Sequence, residues 1–368
     1  MVVSTVGGLS TVRAHDISRA ERPWSAAIEA RSADPRMRAM AYAILAPNAF
    51  NLQPWLVELA GDDLLILRCD LASRLPEADA EDRMTTITFG NFLELLRMAA
   101  AEDGYRLNIE PFPIGQPQPH LDDRPIASVQ FIRGGATPDP LFAHVPDRRT
   151  TKRPFESREV TSAVLKQVCA AGTTPARIRS SNESGLVGRI RTLAAQAYTI
   201  EKYTTRINLE QVRVTRIGVD EIEACPDGID LQGTDVEAAI DQRQLSRELL
   251  ADPESAASKK QIESYRAVCD TTKAYVWLST AGNTRLDQLA AGRDWLRVQL
   301  KTTELGLSFE PQSPSLNDYA EVAQVSQAMH KTLAALAGHR VQMLSRVGYA
   351  ASMPPAARWA AETKVLKP

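Results

Sequence analysis

With 368 residues, 44% of them hydrophobic and 24% charged, and a net charge of −2, the chain has the composition of a folded globular protein. Its length accommodates two ordinary domains or one large α/β body. The balanced charge excludes a broad polyanion-binding surface, and with it nucleic acid as a general partner. Cys69, Cys169, Cys225 and Cys269 are widely spaced with no CxxC pair. That spacing excludes a disulfide scaffold and a structural zinc site. Residues 1–24 contain no apolar run of signal-peptide length, and no window approaches the run of about 20 apolar residues that spans a bilayer. The expectation is a cytoplasmic protein with reduced thiols and no membrane contact.

Along the chain, Pro35 to Leu45 has Met37, Met40, Ala41 and Ile44 at helical spacing and stops at Ala46-Pro47-Asn48. Leu56–Ala60 and Leu64–Cys69 read as strands joined by a turn at Gly61-Asp62-Asp63. Met84–Asp103 is an amphipathic helix with Phe89, Phe92, Leu93, Leu96 and Ala100 on one face, capped by Gly104. Arg106–Ile109 and Ala127–Ile132 read as strands, and a new unit begins near Thr137. Further helices are expected from Thr161 to Ala171 and from Gly185 to Val212. A polar, acid-rich stretch around Cys225-Pro226-Asp227-Gly228-Ile229 follows. Ala274–Ser279 reads as a buried strand and Leu286–Leu305 as a long helix ending at Gly306. The two long helices align with an equal glycine interval, Gly90 to Gly104 and Gly292 to Gly306. Any two glycine-capped amphipathic helices would align as well, so the match gains weight only from the segments around it.

Four segments carry residues suited to chemistry. Pro47, Asn48, Asn51, Gln53 and Trp55 combine carboxamides with a flat ring at a helix-to-strand junction, a set able to read the pyrimidine edge of a flavin; an ordinary polar loop anchored by Trp55 is the alternative. Arg148, Arg149, Thr150 and Lys152 fit a phosphate monoester, or a solvated basic turn. Gly306, Leu307 and Ser308 offer backbone to a ring system, or merely cap the helix. Arg346 and Arg358 are late arginines able to close around a phosphate, or ordinary surface residues. GxGxxG, GxxxxGK[ST], HExxH and GxSxG are all absent, and the histidines show no metal-ligand spacing. No metal site and no protein acid, base or nucleophile is therefore assigned.

Together these segments resemble the nitroreductase family of FMN enzymes. Pro47 to Trp55 is similar to that family's P-[S]-x-x-N-x-Q-P-W signature, matching at Asn51, Gln53, Pro54 and Trp55, whereas Asn48 and Ala49 replace small hydroxyl residues. Arg148 to Lys152 resembles its R-[RH]-S-x-[RK] phosphate motif, with Thr150 for serine. The family's subunits are about half as long and pair so that each flavin lies between them. Here the N-x-Q-P-W loop lies in the first half and the phosphate motif in the second.

The resemblance implies an α+β fold of two fused repeats, residues 1–136 and 137–368, each a mixed, mostly antiparallel sheet packed by long helices. Together they would form an intrachain pseudo-dimer of the Acg-type branch, monomeric or dimerising further. It implies FMN as cofactor and electron transfer from NAD(P)H to a small-molecule acceptor such as a nitroaromatic or quinone. The alternative is an FMN-sequestering protein closed by a lid, placed at about residues 213–260. The implied cofactor-binding residues are Pro47, Asn48, Asn51, Gln53, Arg148, Arg149, Thr150, Lys152, Gly306, Leu307, Ser308, Arg346 and Arg358.

Overall fold

A computed structural model describes residues 18–29, 32–333 and 338–367. Most of the N-terminal stretch read above for a leader therefore lies outside the described residues. Helices α1 (Ser18–Glu29) and α2 (Pro35–Ala43) lead in, α2 being started by the Asp34 side chain accepting from the Arg36 amide and by a proline at its first turn. Strands β1 (Trp55–Ala60) and β2 (Leu64–Cys69) follow as an antiparallel hairpin around the expected turn. Helix α3 (Arg83–Glu102) then precedes β3 (Tyr105–Pro111) and β4 (Ala127–Arg133). These strands make one antiparallel sheet in the order β1-β2-β4-β3.

The second half builds a second sheet. Helix α4 (Ser162–Cys169) leads into β5 (Arg177–Ser181). The expected long helix is two, α5 (Ser184–Tyr203) and α6 (Thr205–Arg213), broken where Thr204 takes extended backbone and its hydroxyl donates to the Ile200 carbonyl. A small unit follows: β6 (Thr215–Ile217), α7 (Gly218–Ala224), β7 (Ile229–Leu231), α8 (Thr234–Asp241), α9 (Arg247–Ala251) and α10 (Ala256–Asp270), with β6 and β7 paired in parallel. Strand β8 (Ala274–Thr280) is buried along its whole length. Helix α11 (Arg285–Glu304) starts with a Thr284–Asp287 capping box. Strand β9 (Ser308–Pro311), helix α12 (Ala323–Thr332) and strand β10 (Arg340–Gly348) complete an antiparallel sheet ordered β5-β8-β10-β9. Counted along the chain, both sheets place their strands in the order first, second, fourth, third.

The fold is thus mixed α+β with two antiparallel four-stranded sheets. Helices α3 and α11 cross between them and serve both cores. Leu289, Leu296 and Leu300 of α11 pack with Trp55, Phe89 and Phe92 under the first sheet. Ile87 of α3 packs with Trp295, Val276 and Phe309 under the second. Neither half could bury its apolar face without the other's helix. Among the described residues, no helix is long and apolar enough to cross a membrane.

Candidate functional site

The loop from Pro47 to Gln53 leaves α2 in a backbone conformation that local sequence alone would not choose. Phe50, Asn51 and Gln53 have φ of 49°, 57° and 51°. Such left-handed backbone is costly for residues other than glycine and persists only where the surroundings hold it. Here α3 supplies the hold: the Asn91 carboxamide donates to the Pro47 carbonyl at 2.8 Å, and the Ala49 amide donates to the Thr88 hydroxyl at 3.0 Å. Within the loop the Gln53 amide donates to the Asn48 carboxamide oxygen at 2.8 Å.

The second half meets this loop with arginines. Arg148 donates from Nη2 to the Leu45 carbonyl at 2.8 Å and from Nη1 to Gln299 of α11 at 3.2 Å, while its buried Nε has no partner. Arg358 donates from Nε to the Ile44 carbonyl at 2.9 Å and from Nη1 to the Asn51 side chain. Arg149 bonds the carbonyls of Pro146 and Arg148 at 2.7 and 2.8 Å. All three guanidinium carbons lie over the indole of Trp24 in α1, at 5.4 Å for Arg148, 4.9 Å for Arg149 and 5.6 Å for Arg358. Arg148 and Arg358 are each 3% exposed, and no carboxylate forms an ion pair with either among the described residues. Burial, and then the adjacent guanidiniums of Arg358 and Arg149, push the Arg148 cation well below its ordinary range. Burial does the same at Arg358, against a pull from Asp230. A cradle of like charges held by carbonyls and a ring is a strong electrostatic demand for an anion.

The segment at 225–231 lies across these residues. The Gln53 carboxamide donates to the Pro226 carbonyl at 2.8 Å and accepts from the Trp359 amide at 2.9 Å, so this fully buried side chain has both ends engaged. The Gly228 amide donates to the Asn51 carbonyl at 3.1 Å. Asp227 accepts from the Trp359 indole at 2.8 Å and pairs with Arg216. Asp230 pairs with the half-exposed Lys152 ammonium at 2.9 Å. The 213–260 stretch is a folded unit, and this edge of it reaches both motif segments.

The remaining residues take other positions. Thr150 is exposed. Arg346 is fully buried behind the phosphate-motif segment: it pairs with Glu310, lies 3.9 Å from the Phe155 ring centroid and donates to the carbonyls of Thr151 at 3.0 Å and Arg153 at 2.6 Å. Gly306, with φ of +67°, caps α11; Leu307 packs in the second core; and Ser308 opens β9 opposite Gly348. The structure therefore brings together Pro47, Asn48, Asn51, Gln53, Arg148, Arg149 and Arg358, links Lys152 to them through Asp230, and sets Arg346 behind them. Trp24, Gln299, Asp227 and Asp230 join the site without a motif to announce them. A lone tryptophan in an amphipathic helix carries no signal that three arginines will gather on it.

No family model and no curated protein matches the chain. Solved structures similar to it include a nitroreductase-like protein of Bacillus cereus, at 12% identity over 62% of this chain and 96% of that one, with a TM-score of 0.34. A nitroreductase of Desulfitobacterium hafniense with bound FMN is 10% identical over 61% of this chain and 96% of that one, with a TM-score of 0.36. An FMN-dependent nitroreductase of Mycobacterium smegmatis in complex with NADPH is 17% identical over 57% and 90%, with a TM-score of 0.33. These are distant likenesses, and the reading of the site rests on the chain's own residues.

Proposed function

We propose that the chain is an FMN-dependent oxidoreductase that passes electrons from NAD(P)H to an electron-poor acceptor such as a nitroaromatic or quinone. The observation that carries this reading is the buried cradle of Arg148 and Arg358, neither in an ion pair among the described residues, beside the strained Asn51 loop. A phosphate monoester supplies negative charge there and an acceptor for the unpartnered Arg148 Nε. Asn51 and Gln53 would face the ribityl chain or ring edge on exchanging their present side-chain partners, Ala357 and Arg358 for Asn51 and Pro226 and Trp359 for Gln53, and Lys152 would stabilise charge on the reduced ring. The flavin supplies the hydride chemistry; the protein binds, orients and excludes water.

The same reading takes residues 1–136 and 137–368 as fused repeats forming an intrachain pseudo-dimer with one flavin site. The matching strand order of the two sheets and the crossing of α3 and α11 support it. The lid reading of 213–260 is supported by the bonds from Pro226, Asp227, Gly228 and Asp230 to both motif segments. Those bonds also favour a second reading, in which the closed lid makes the protein a flavin store with little turnover.

The test is the visible spectrum of the purified protein, loaded with FMN and mixed with NADPH or NADH without air. Bleaching of the flavin band supports the reductase; a flavin band that persists supports storage; failure to bind FMN overturns both.

A further inference from the structure

The second sheet carries polar side chains on a face that is buried. On one rung Glu310, Arg346 and Tyr275 stand opposite one another across β9, β10 and β8. Gln312, two residues beyond Glu310, projects to the same side. Helix α10 closes over this face with Tyr265 and Cys269, the Gln312 amide donating to the Cys269 sulfur at 3.2 Å. Arg346 borders the phosphate-motif segment through its bonds to the Thr151 and Arg153 carbonyls.

Three atoms of this chamber are buried with no partner, Arg346 Nη1, Tyr265 Oη and Gln312 Oε1, while the Tyr275 hydroxyl has the Thr272 hydroxyl as its hydrogen-bond neighbour. Arg346, Tyr275 and Gln312 are 0%, 0% and 1% exposed. Buried polar groups in folded proteins are satisfied almost without exception, so several unmet ones side by side mark the place of a bound group. Their chemistry is mixed. The guanidinium only donates, the carboxamide oxygen only accepts, and each phenol does either. Burial first, and nearby Cys269 next, push both phenols up, so they remain protonated donors. A planar heterocycle whose edge alternates carbonyl oxygens and N–H groups answers this set; an anion or an apolar ring does not.

We propose that Tyr265, Tyr275, Gln312 and Arg346 Nη1 form the ring end of the ligand site and hydrogen-bond the edge of the isoalloxazine whose phosphate Arg148 and Arg358 hold. The inference rests on the FMN reading above. It adds three residues, Tyr265, Tyr275 and Gln312, that belong to neither motif.

The experiment is a titration of the full chain with FMN, followed by quenching of flavin fluorescence, with ribitol 5-phosphate as a ringless competitor. It uses the wild type, the Tyr265→Phe/Tyr275→Phe double variant, Gln312→Leu and Arg358→Ala. The double variant and Gln312→Leu are expected to raise the Kd for FMN at least tenfold and to leave that for ribitol 5-phosphate within twofold. The ligand-free double variant should still melt cooperatively near the wild-type temperature, because Tyr265→Phe sheds an unmet hydroxyl while Tyr275→Phe removes the neighbour of Thr272. FMN affinity within twofold of wild type in both ring-end variants, alongside weakened binding in Arg358→Ala, overturns the inference and leaves the FMN reading standing. A wild type that binds no FMN overturns both.

Discussion

Gly90 and Gly292 touch backbone to backbone where α3 crosses α11: a Cβ on Gly90 would lie 2.9 Å from the Gly292 Cα and 2.2 Å from the Leu289 carbonyl oxygen. The converse holds, with a Cβ on Gly292 falling 2.0 Å from the Ile87 carbonyl oxygen and 2.8 Å from the Gly90 Cα. Both obstacles are backbone and cannot turn aside. Gly90→Ala and Gly292→Ala should each lower the unfolding free energy by at least the ~1–3 kcal/mol typical of overpacking, read from urea denaturation. Because the sites touch, the double variant should lose less than the sum of the two. Unchanged midpoints in both single variants would show that the helices separate freely.

Arg358→Ala and Arg148→Ala should each weaken FMN binding at least tenfold, a loss of about 1.4 kcal/mol or more per removed charge-assisted contact. Inorganic phosphate should compete with FMN in the wild type and more weakly in either variant. Equal phosphate competition in all three proteins would remove the anion from this cradle.

The Lys152–Asp230 pair joins the 213–260 unit to the 148–152 segment through side chains that are 49% and 26% exposed. A pair so open to solvent contributes at most about 1 kcal/mol. Asp230→Asn should therefore leave the melting temperature nearly unchanged while speeding FMN uptake several-fold in stopped-flow quenching. An unaltered rate would place the barrier to entry elsewhere.

Glu201 in α5 is 2% exposed, and burial pushes its carboxyl up to about 7. The folded protein thus holds this proton more tightly than the unfolded chain does. That contribution to stability is complete below the ordinary carboxylate range and is lost as pH rises towards 7. Across that window the wild type should lose roughly 3 kcal/mol relative to Glu201→Gln, at about 1.4 kcal/mol per pKa unit. Parallel urea-midpoint profiles for the two proteins between pH 4.5 and pH 7.5 would contradict the assignment.

What the sequence discloses is what is local. Apolar spacing places α2, β2, α3 and α11 to within a residue or two, and the glycines at 104 and 306 mark their helix ends as expected. The break at Thr204 was hidden because the apolar pattern runs on through it. Asn51 stands out as a carboxamide suited to a flavin edge, Arg148 and Arg358 as residues suited to a phosphate, and the fold gathers all three. Trp24, Gln299, Tyr265 and Tyr275 do not stand out. Each is an ordinary core residue until distant chain segments arrive beside it, more than a hundred positions away for Trp24 and Gln299 and 71 for Tyr275.

The last described residues return to the first sheet. Val365 bridges Val57 in parallel, and the Leu366 amide donates to the Val57 carbonyl at 2.7 Å along β1, an edge strand. During synthesis that edge emerges some three hundred residues before the segment that seals it. Until then it offers unpaired amides and carbonyls to any neighbouring nascent chain. The 365–366 segment is therefore a safety catch against strand-to-strand aggregation, and Val365→Pro should show first in the yield of soluble protein.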